Sequence, residues 1–154
     1  MGATGAANRL SVAATGLVPG DTIQRAATLT NAAGNQSLSA ITLTTAATTS
    51  SKLDTDPTLG LQIAIDACSV PWVEAGAAPA YTYTCTGTTT SVLASRAIIG
   101  ANLPLTNLSS LAANKTDNLR VTASVPAAAD NTFQGLNSVV SFTFTGTQRT
   151  ATNQ

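Results

Sequence analysis

Short runs in which apolar and polar residues alternate recur along the chain, and this period of two is the strongest constraint on its fold. Side chains of a β-strand point alternately to opposite faces, so each run predicts a strand with one buried face. In DTIQRAATLTN, for example, Ile23, Ala27 and Leu29 share one face. The corresponding inward positions of the other runs are Ile41, Leu43, Leu61, Ile63, Ile65, Leu119, Val121, Ala123, Val125, Val140, Phe142 and Phe144.

Residues that favour turns (Gly, Pro, Asn and Asp) separate these runs, and a helical period is nearly absent. The pattern predicts an all-β fold, a jelly-roll or immunoglobulin-like Greek-key β-sandwich. We expect the first two clear strands, at residues 21–31 and 38–45, to form a neighbouring or bridged pair. SSKLDTDPTLG is a predicted loop, TTTSVLASRAIIG has no clean period, and TNLSSLAAN favours one helical turn capped by Thr106 or Asn107.

The length of 154 residues fits one folded domain. We assign residues 1–16 to an N-terminal arm, 17–149 to the β-sandwich and 150–154 to a C-terminal tail. The arm is separated from the first sandwich strand by a Pro-Gly-Asp turn, in which the Asp21 side chain is expected to bond the backbone of its own turn. Pro19 and Gly20 are therefore the predicted hinge.

Charge is scarce in this sequence: charged residues make up 9% of the chain and sum to a formal net charge of zero. This balance provides no basic surface for nucleic acid, and no apolar run is long enough to predict a membrane span. A surface made mainly of Thr, Ser, Asn and Ala suits an extracellular protein that packs against copies of itself. We expect any export signal to have been removed before residue 1.

The two cysteines, Cys68 and Cys85, predict a disulfide. A redox pair is the alternative, but the sixteen intervening residues and the lack of a CxxC motif favour a structural bridge. Trp72 lies between the cysteines in sequence and is expected to pack near the bond. A disulfide in turn favours an oxidising compartment outside the cytosol.

Recognisable catalytic motifs are missing from the sequence. It has no His, which excludes Ser-His triads and HExxH zinc sites, and it has no phosphate-binding glycine motif. We therefore predict no enzyme activity, no cofactor and no metal. Asp54 and Asp56 have the D-x-D spacing that can begin a calcium loop, but further ligands are missing, so solvated loop acids are the preferred interpretation.

Other surface signals are weak. Sequons at Asn35, Asn107 and Asn114 are expected by chance in a chain rich in Ser and Thr. An outward Arg120 is expected to meet a cross-strand partner or solvent. Trp72, Tyr81 and Tyr83 are the only candidates for a sugar-binding platform, although core packing is the more common role of such rings.

Several stretches of the chain resemble actinobacterial members of the camelysin and TasA family of exported cell-surface and biofilm matrix proteins. They are LVPGDTIQRAATLTNAAGNQSLSAITLTT, GLQIAIDACSVPW, YTYTCTGTTTSVLAS and LAANKTDNLRVTASVPAAADNTFQGLNSVVSFTFTGTQR. The resemblance covers nearly the whole chain from about residue 10. It implies a jelly-roll-like sandwich that polymerises by donor-strand complementation, in which the arm of one subunit completes a sheet of the next.

In this sequence the corresponding arm is MGATGAANRLSVAATG, and Ala6, Ala7, Leu10 and Val12 are the expected donor positions. A disordered leader or an ordinary first strand is the alternative for this segment. Some camelysins are described as metalloproteases, but a chain without His offers no residues for that activity.

The sequence thus predicts a secreted structural subunit that binds copies of itself head to tail in extracellular filaments or a biofilm matrix. A monomeric cell-surface adhesin or carbohydrate-binding module is the alternative function. Deleting the arm separates the two, because only the filament depends on it.

Overall fold

The structure is a computed structural model that describes residues 2–4 and 11–150. Within these residues it contains eleven strands, one short α-helix and one 3₁₀ turn. They are β1 (Gly2–Thr4), β2 (Ser11–Thr15), β3 (Thr22–Asn31), β4 (Leu38–Thr49), α1 (Lys52–Thr55), β5 (Gln62–Cys68), β6 (Val73–Ala75), β7 (Thr82–Thr84), β8 (Thr89–Ala97), β9 (Gly100–Pro104), β10 (Lys115–Ser124), η1 (Asn131–Phe133) and β11 (Asn137–Gln148).

Two antiparallel sheets form the sandwich. Sheet I has the order β1-β3-β10-β5-β8, and sheet II has the order β2-β11-β4-β9. From β2 to β5 and again from β8 to β11, consecutive strands alternate between the two sheets, which is the eight-stranded jelly-roll arrangement. The predicted all-β sandwich is therefore confirmed, but β3 and β4 are not neighbours: they lie in opposite sheets.

The core lies between the sheets, and the predicted alternation builds it. In β3 and β10 every second residue is buried, from Ile23 to Asn31 and from Asp117 to Val125. The largest fully buried side chains include Leu29, Ile41, Leu43, Ile63, Ile65 and Leu119. Because one face of each strand is buried, the register of the strands is fixed by this pattern.

The predicted loop at residues 50–60 contains the helix α1. The carboxylate of Asp54 in this helix is not exposed to solvent. Asp54 is buried, and its carboxylate accepts hydrogen bonds from Ser50 Oγ at 2.8 Å, Ser51 N at 2.8 Å and Ser138 Oγ at 2.7 Å. Ser51 and Asp54 form a capping box, which satisfies the free N–H groups of the first helical turn. This corrects the interpretation of Asp54 as an exposed loop acid.

The predicted helical turn in TNLSSLAAN is wrong: residues 106–114 form bends and turns. Asn107 and Asn114 adopt positive φ angles of 60° and 59°, and Asp117 accepts hydrogen bonds from Ser109 N and Ser110 N. The main-chain N–H groups are thus satisfied by a carboxylate from β10 rather than by a helix.

The predicted disulfide joins Cys68, at the end of β5, to Cys85. It closes a segment, residues 69–84, that we call the excursion and that contains the β6-β7 hairpin. The excursion lies on the outer face of sheet I, where Trp72 Nε1 donates to Asn118 O at 2.9 Å. Arg120 stacks over the Trp72 ring at 4.5 Å and pairs with Asp66 on β5 at 3.0 Å. The expected cross-strand partner of Arg120 is therefore Asp66.

Candidate assembly site

The described parts of the N-terminal arm pair with both sheets of their own chain. β1 pairs with residues 28–30 of β3, and β2 pairs with residues 137–141 of β11. Of the predicted donor residues, Val12 lies on β2 and is fully buried, as is Ala14. Ala6, Ala7 and Leu10 lie outside the described residues. β1 and β2 are thus outer strands on the same side of the sandwich, β1 in sheet I and β2 in sheet II, since β2 lies against β3.

The predicted hinge forms a tight turn between β2 and β3. Asp21 N donates to Val18 O at 3.0 Å, and the Asp21 side chain accepts from Val18 N at 3.0 Å, as the sequence predicts. Gly20 has a φ of +93°, which favours glycine, and its N–H donates to Val125 O at 2.8 Å. The turn is therefore fixed to the end of β10, and its role as a hinge stays a prediction.

β11 continues past Ser141, which pairs with Ser11, the first residue of β2. Ile41 O accepts from Leu105 N on the β9 side, so the odd-numbered residues of this part of β4 direct their main-chain groups toward β9. The even-numbered residues Thr42 and Thr44 therefore face Thr145 and Thr143 of β11. It follows that the main-chain groups of Phe142, Phe144 and Gly146 point away from β4.

This part of β11 has no neighbouring strand on its outer side among the residues that the structure describes. We call it the open edge, residues 142–146. Phe142 is buried and Phe144 packs partly against the core, so a strand added here would also cover apolar surface. Unpaired N–H and C=O groups along a strand are a template for pairing with another chain.

The opposite side of the sandwich is less suited to strand addition. Its outer strands are β8, whose pairing with β5 is interrupted by two register shifts, and β9, which has only five residues. Arg96 lies at the corner between them and donates to Ala97 O at 3.0 Å and Ile99 O at 3.2 Å. Bulges, short strands and charged side chains all protect a sheet edge from pairing.

The three aromatic residues of the alternative sugar-binding platform do not form an exposed surface. Trp72 is covered by Arg120, and Tyr83 is buried with its hydroxyl donating to Glu74 Oε1 at 2.8 Å. Tyr81 is half-buried, and the guanidinium of Arg25 lies 5.8 Å from the centre of its ring. These rings hold the excursion against sheet I.

Asp54 and Asp56 accept hydrogen bonds from nearby main-chain N–H groups. Burial alone would raise the pKa of Asp54, but hydrogen bonds from Ser138, Ser51 and Ser50 outweigh it and lower that pKa below its ordinary value. Hydrogen bonds from Leu59 N and Thr58 N likewise lower the pKa of Asp56. In the part of the chain that the structure describes, no three potential metal ligands lie together. No described helix is long and apolar enough to cross a membrane.

Comparison of the chain with protein-family models, with curated proteins and with solved structures finds no match. The resemblance to the camelysin and TasA family therefore stays a prediction from the sequence. Sequence reasoning selected the arm, the turn and the disulfide, but it missed the open edge and Arg25. The inward position of Arg25 in the alternation of β3 was the signal that could have revealed it.

Proposed function

We propose that this protein is an extracellular structural subunit that joins copies of itself by strand addition. The observation that carries the proposal is the position of β2: it is an N-terminal strand that buries Val12 and Ala14, pairs with β11 alone among the described strands, and precedes the turn at Pro19 and Gly20. In the assembly the N-terminal arm of a second copy takes the place of β2 on β11. The disulfide supports a location outside the reducing cytosol, at the cell surface or in a matrix.

The pairing of β2 with β11 supplies a register for the added strand. Val12 lies opposite Val140 and Ser11 lies opposite Ser141. Extended in the same register, an arm from a second copy places Leu10 opposite Phe142 and Ala6 opposite Gly146. Leu10 and Ala6 then share the inward face with Val12, and Ala7 points outward.

Exchange of the arm between copies costs little, because the pairs lost in one chain are regained in the other. The exchanged strand makes main-chain hydrogen bonds to β11, each with a net contribution of about 1 kcal/mol. Because each copy donates at one place and accepts at another, the contact is head to tail and propagates. The near absence of charge on the chain keeps the repulsion between stacked copies low.

Gly146 offers a test that leaves the β4 ladder intact. Its N–H points away from β4, toward the side on which β2 pairs, so Gly146→Pro removes a donor to an arm in the register of β2. Gly146→Ala keeps the N–H and is the matched control. We expect the parent and Gly146→Ala to assemble with rising concentration in sedimentation velocity and negative-stain electron microscopy, and Gly146→Pro to stay monomeric. Equal assembly of the two variants would refute the proposal.

A further inference from the structure

The outer face of sheet II is built from hydroxyl-bearing and small residues. β4 and β11 form its centre, and their alternation places Ile41, Leu43, Val140 and Phe142 inward. The outward residues form four cross-strand pairs, which we call the hydroxyl face: Ala40 with Thr147, Thr42 with Thr145, Thr44 with Thr143, and Ala46 with Ser141. Such pairs give the face a regular array of hydroxyl and methyl groups.

The distribution of charge separates this face from the rest of the sandwich. The described strands of sheet II contain no Asp, Glu, Lys or Arg. The charged residues on the strands of the sandwich all lie in sheet I: Arg25, Asp66, Arg96, Lys115, Asp117 and Arg120. Charges of both signs on an exposed surface help to keep copies of a protein apart. The hydroxyl face therefore lacks this protection against packing on an identical face.

The hydroxyl face is also accessible. Thr143, Thr145 and Thr147 are exposed, so no described segment covers this part of it. The outer face of sheet I differs, because the excursion packs on it through Trp72 and it carries the ion pair between Asp66 and Arg120. Of the two outer faces, that of sheet II is thus the one on which a second molecule can pack.

The chemistry of the hydroxyl face fits a second copy of the same chain. A hydroxyl group both donates and accepts hydrogen bonds, so two identical faces can bond each other, whereas a charged face repels its own copy. The methyl groups of Thr and Ala lose contact with water when the faces meet, which favours association. The formal net charge of zero adds no long-range repulsion between copies.

The size of sheet II indicates a weak contact. β4 and β11 have 12 residues each and therefore span about 40 Å, and β2 and β9 have 5 residues each. With strands about 4.8 Å apart, the outer face covers roughly 550 Å² in plan. Each partner in a standard interface buries about 800 Å². A single pair of faces should therefore bind weakly, while copies held together in a row should bind more tightly because their contacts act together.

We propose that the hydroxyl face packs against the same face of another copy, so that rows of copies associate laterally into bundles or sheets. This inference rests on the proposed function, because strand addition supplies the rows. The contact is isologous, since the same residues meet on both copies. It joins rows side by side, whereas strand addition extends each row.

The test replaces strand addition by beads, so that the face-to-face contact is measured on its own. The Gly146→Pro chain carries a C-terminal biotin and is bound densely to streptavidin beads, which hold many copies together. In this background, Thr143→Lys with Thr145→Lys gives a positive face, and Thr143→Glu with Thr145→Glu gives a negative face. We expect the Gly146→Pro beads to cluster in light scattering, and beads with either charged face to cluster about tenfold less. Mixing positive with negative beads should restore clustering at low salt, and added salt should weaken it.

The matched control is Thr89→Lys with Ser91→Lys. It adds the same charge at the same spacing to β8 in sheet I, where both residues are exposed, so these beads should cluster as the Gly146→Pro beads do. Far-UV circular dichroism and Trp72 fluorescence confirm that each variant is folded. If the chain with the positive face does not fold, Ala40→Lys with Ala46→Lys replaces it, because both alanines are exposed on the hydroxyl face.

The face-to-face contact is refuted if the Gly146→Pro beads stay dispersed, if beads with a charged face cluster equally, or if the control beads disperse as they do. Failure of the mixed beads to cluster at low salt also refutes it. Binding of the Gly146→Pro beads to cellulose without clustering would assign the face to a polysaccharide instead. The proposed function fails separately, if Gly146→Pro in solution assembles as the parent does.

Discussion

Three inward-facing polar side chains, Arg25, Asp54 and Asp117, each bind main-chain groups that the sheets leave unpaired. Asp54 binds the start of α1, Asp117 binds the loop before β10, and Arg25 binds an edge carbonyl of β3. Alternation reveals such residues as exceptions to a pattern, and Arg25 could have been found in this way. It does not reveal Asp54, because Asp54 lies in α1 and not in a strand. Its partner Ser138 is also 84 residues away in sequence.

Asp54→Asn should destabilise the protein by about 2 kcal/mol at pH 7, because it weakens hydrogen bonds to a buried charged group. The pKa of Asp54 is lowered on folding, so its contribution to stability is present above the unfolded pKa of about 3.9 and is lost as the pH falls through the folded pKa. Urea unfolding at pH 7 and at about pH 2.5 measures both effects.

Asp54→Asn should therefore lose less stability than the parent between these two pH values. Ser95→Ala, at an exposed position of β8, is the control and should follow the parent at both. If the parent and Asp54→Asn lose the same free energy of unfolding between the two pH values, the Asp54 carboxylate does not contribute to the pH dependence of stability.

At the scale of strands, alternation locates β3, β5, β10 and β11 well, because one face of each is buried. It does not determine which strands pair: β3 and β4 are consecutive but lie in opposite sheets, since the chain crosses the sandwich between them. The sequence of β8 does not predict a strand clearly, for a different reason. Register shifts in its pairing with β5 interrupt the period of two that a regular strand would show.

The stability of the excursion depends on the Cys68–Cys85 disulfide more than the stability of the sandwich does. Replacing both cysteines by alanine should reduce the free energy of unfolding by about 3 kcal/mol in the chain-entropy model. Trp72 is the only tryptophan and packs the excursion against β10, so its fluorescence reports the contact between that segment and sheet I. We expect its transition in the variant to precede the far-UV circular dichroism transition in urea, whereas the two coincide in the parent. If the two transitions coincide in the variant, the excursion does not unfold before the sandwich, and the prediction is wrong.

At the scale of the whole molecule, the two sides of the sandwich differ. One side has β8 and β9, with shifted register, a short strand and Arg96. The other side has the two outer strands of the arm, β1 beside β3 and β2 beside β11. The sequence predicts a donor arm, but it does not predict the acceptor, because the acceptor exists only after β4 has paired with the other side of β11.

The central claim, that the arm of one copy binds β11 of another, is tested most directly by separating donor from acceptor. The donor chain carries the arm and Gly146→Pro, and the acceptor chain lacks residues 1–16 and keeps Gly146. Native mass spectrometry and light scattering measure their mixture. The claim predicts a complex with one copy of each chain and no larger polymer, while each chain alone stays monomeric. Absence of that complex between the two folded chains would contradict it.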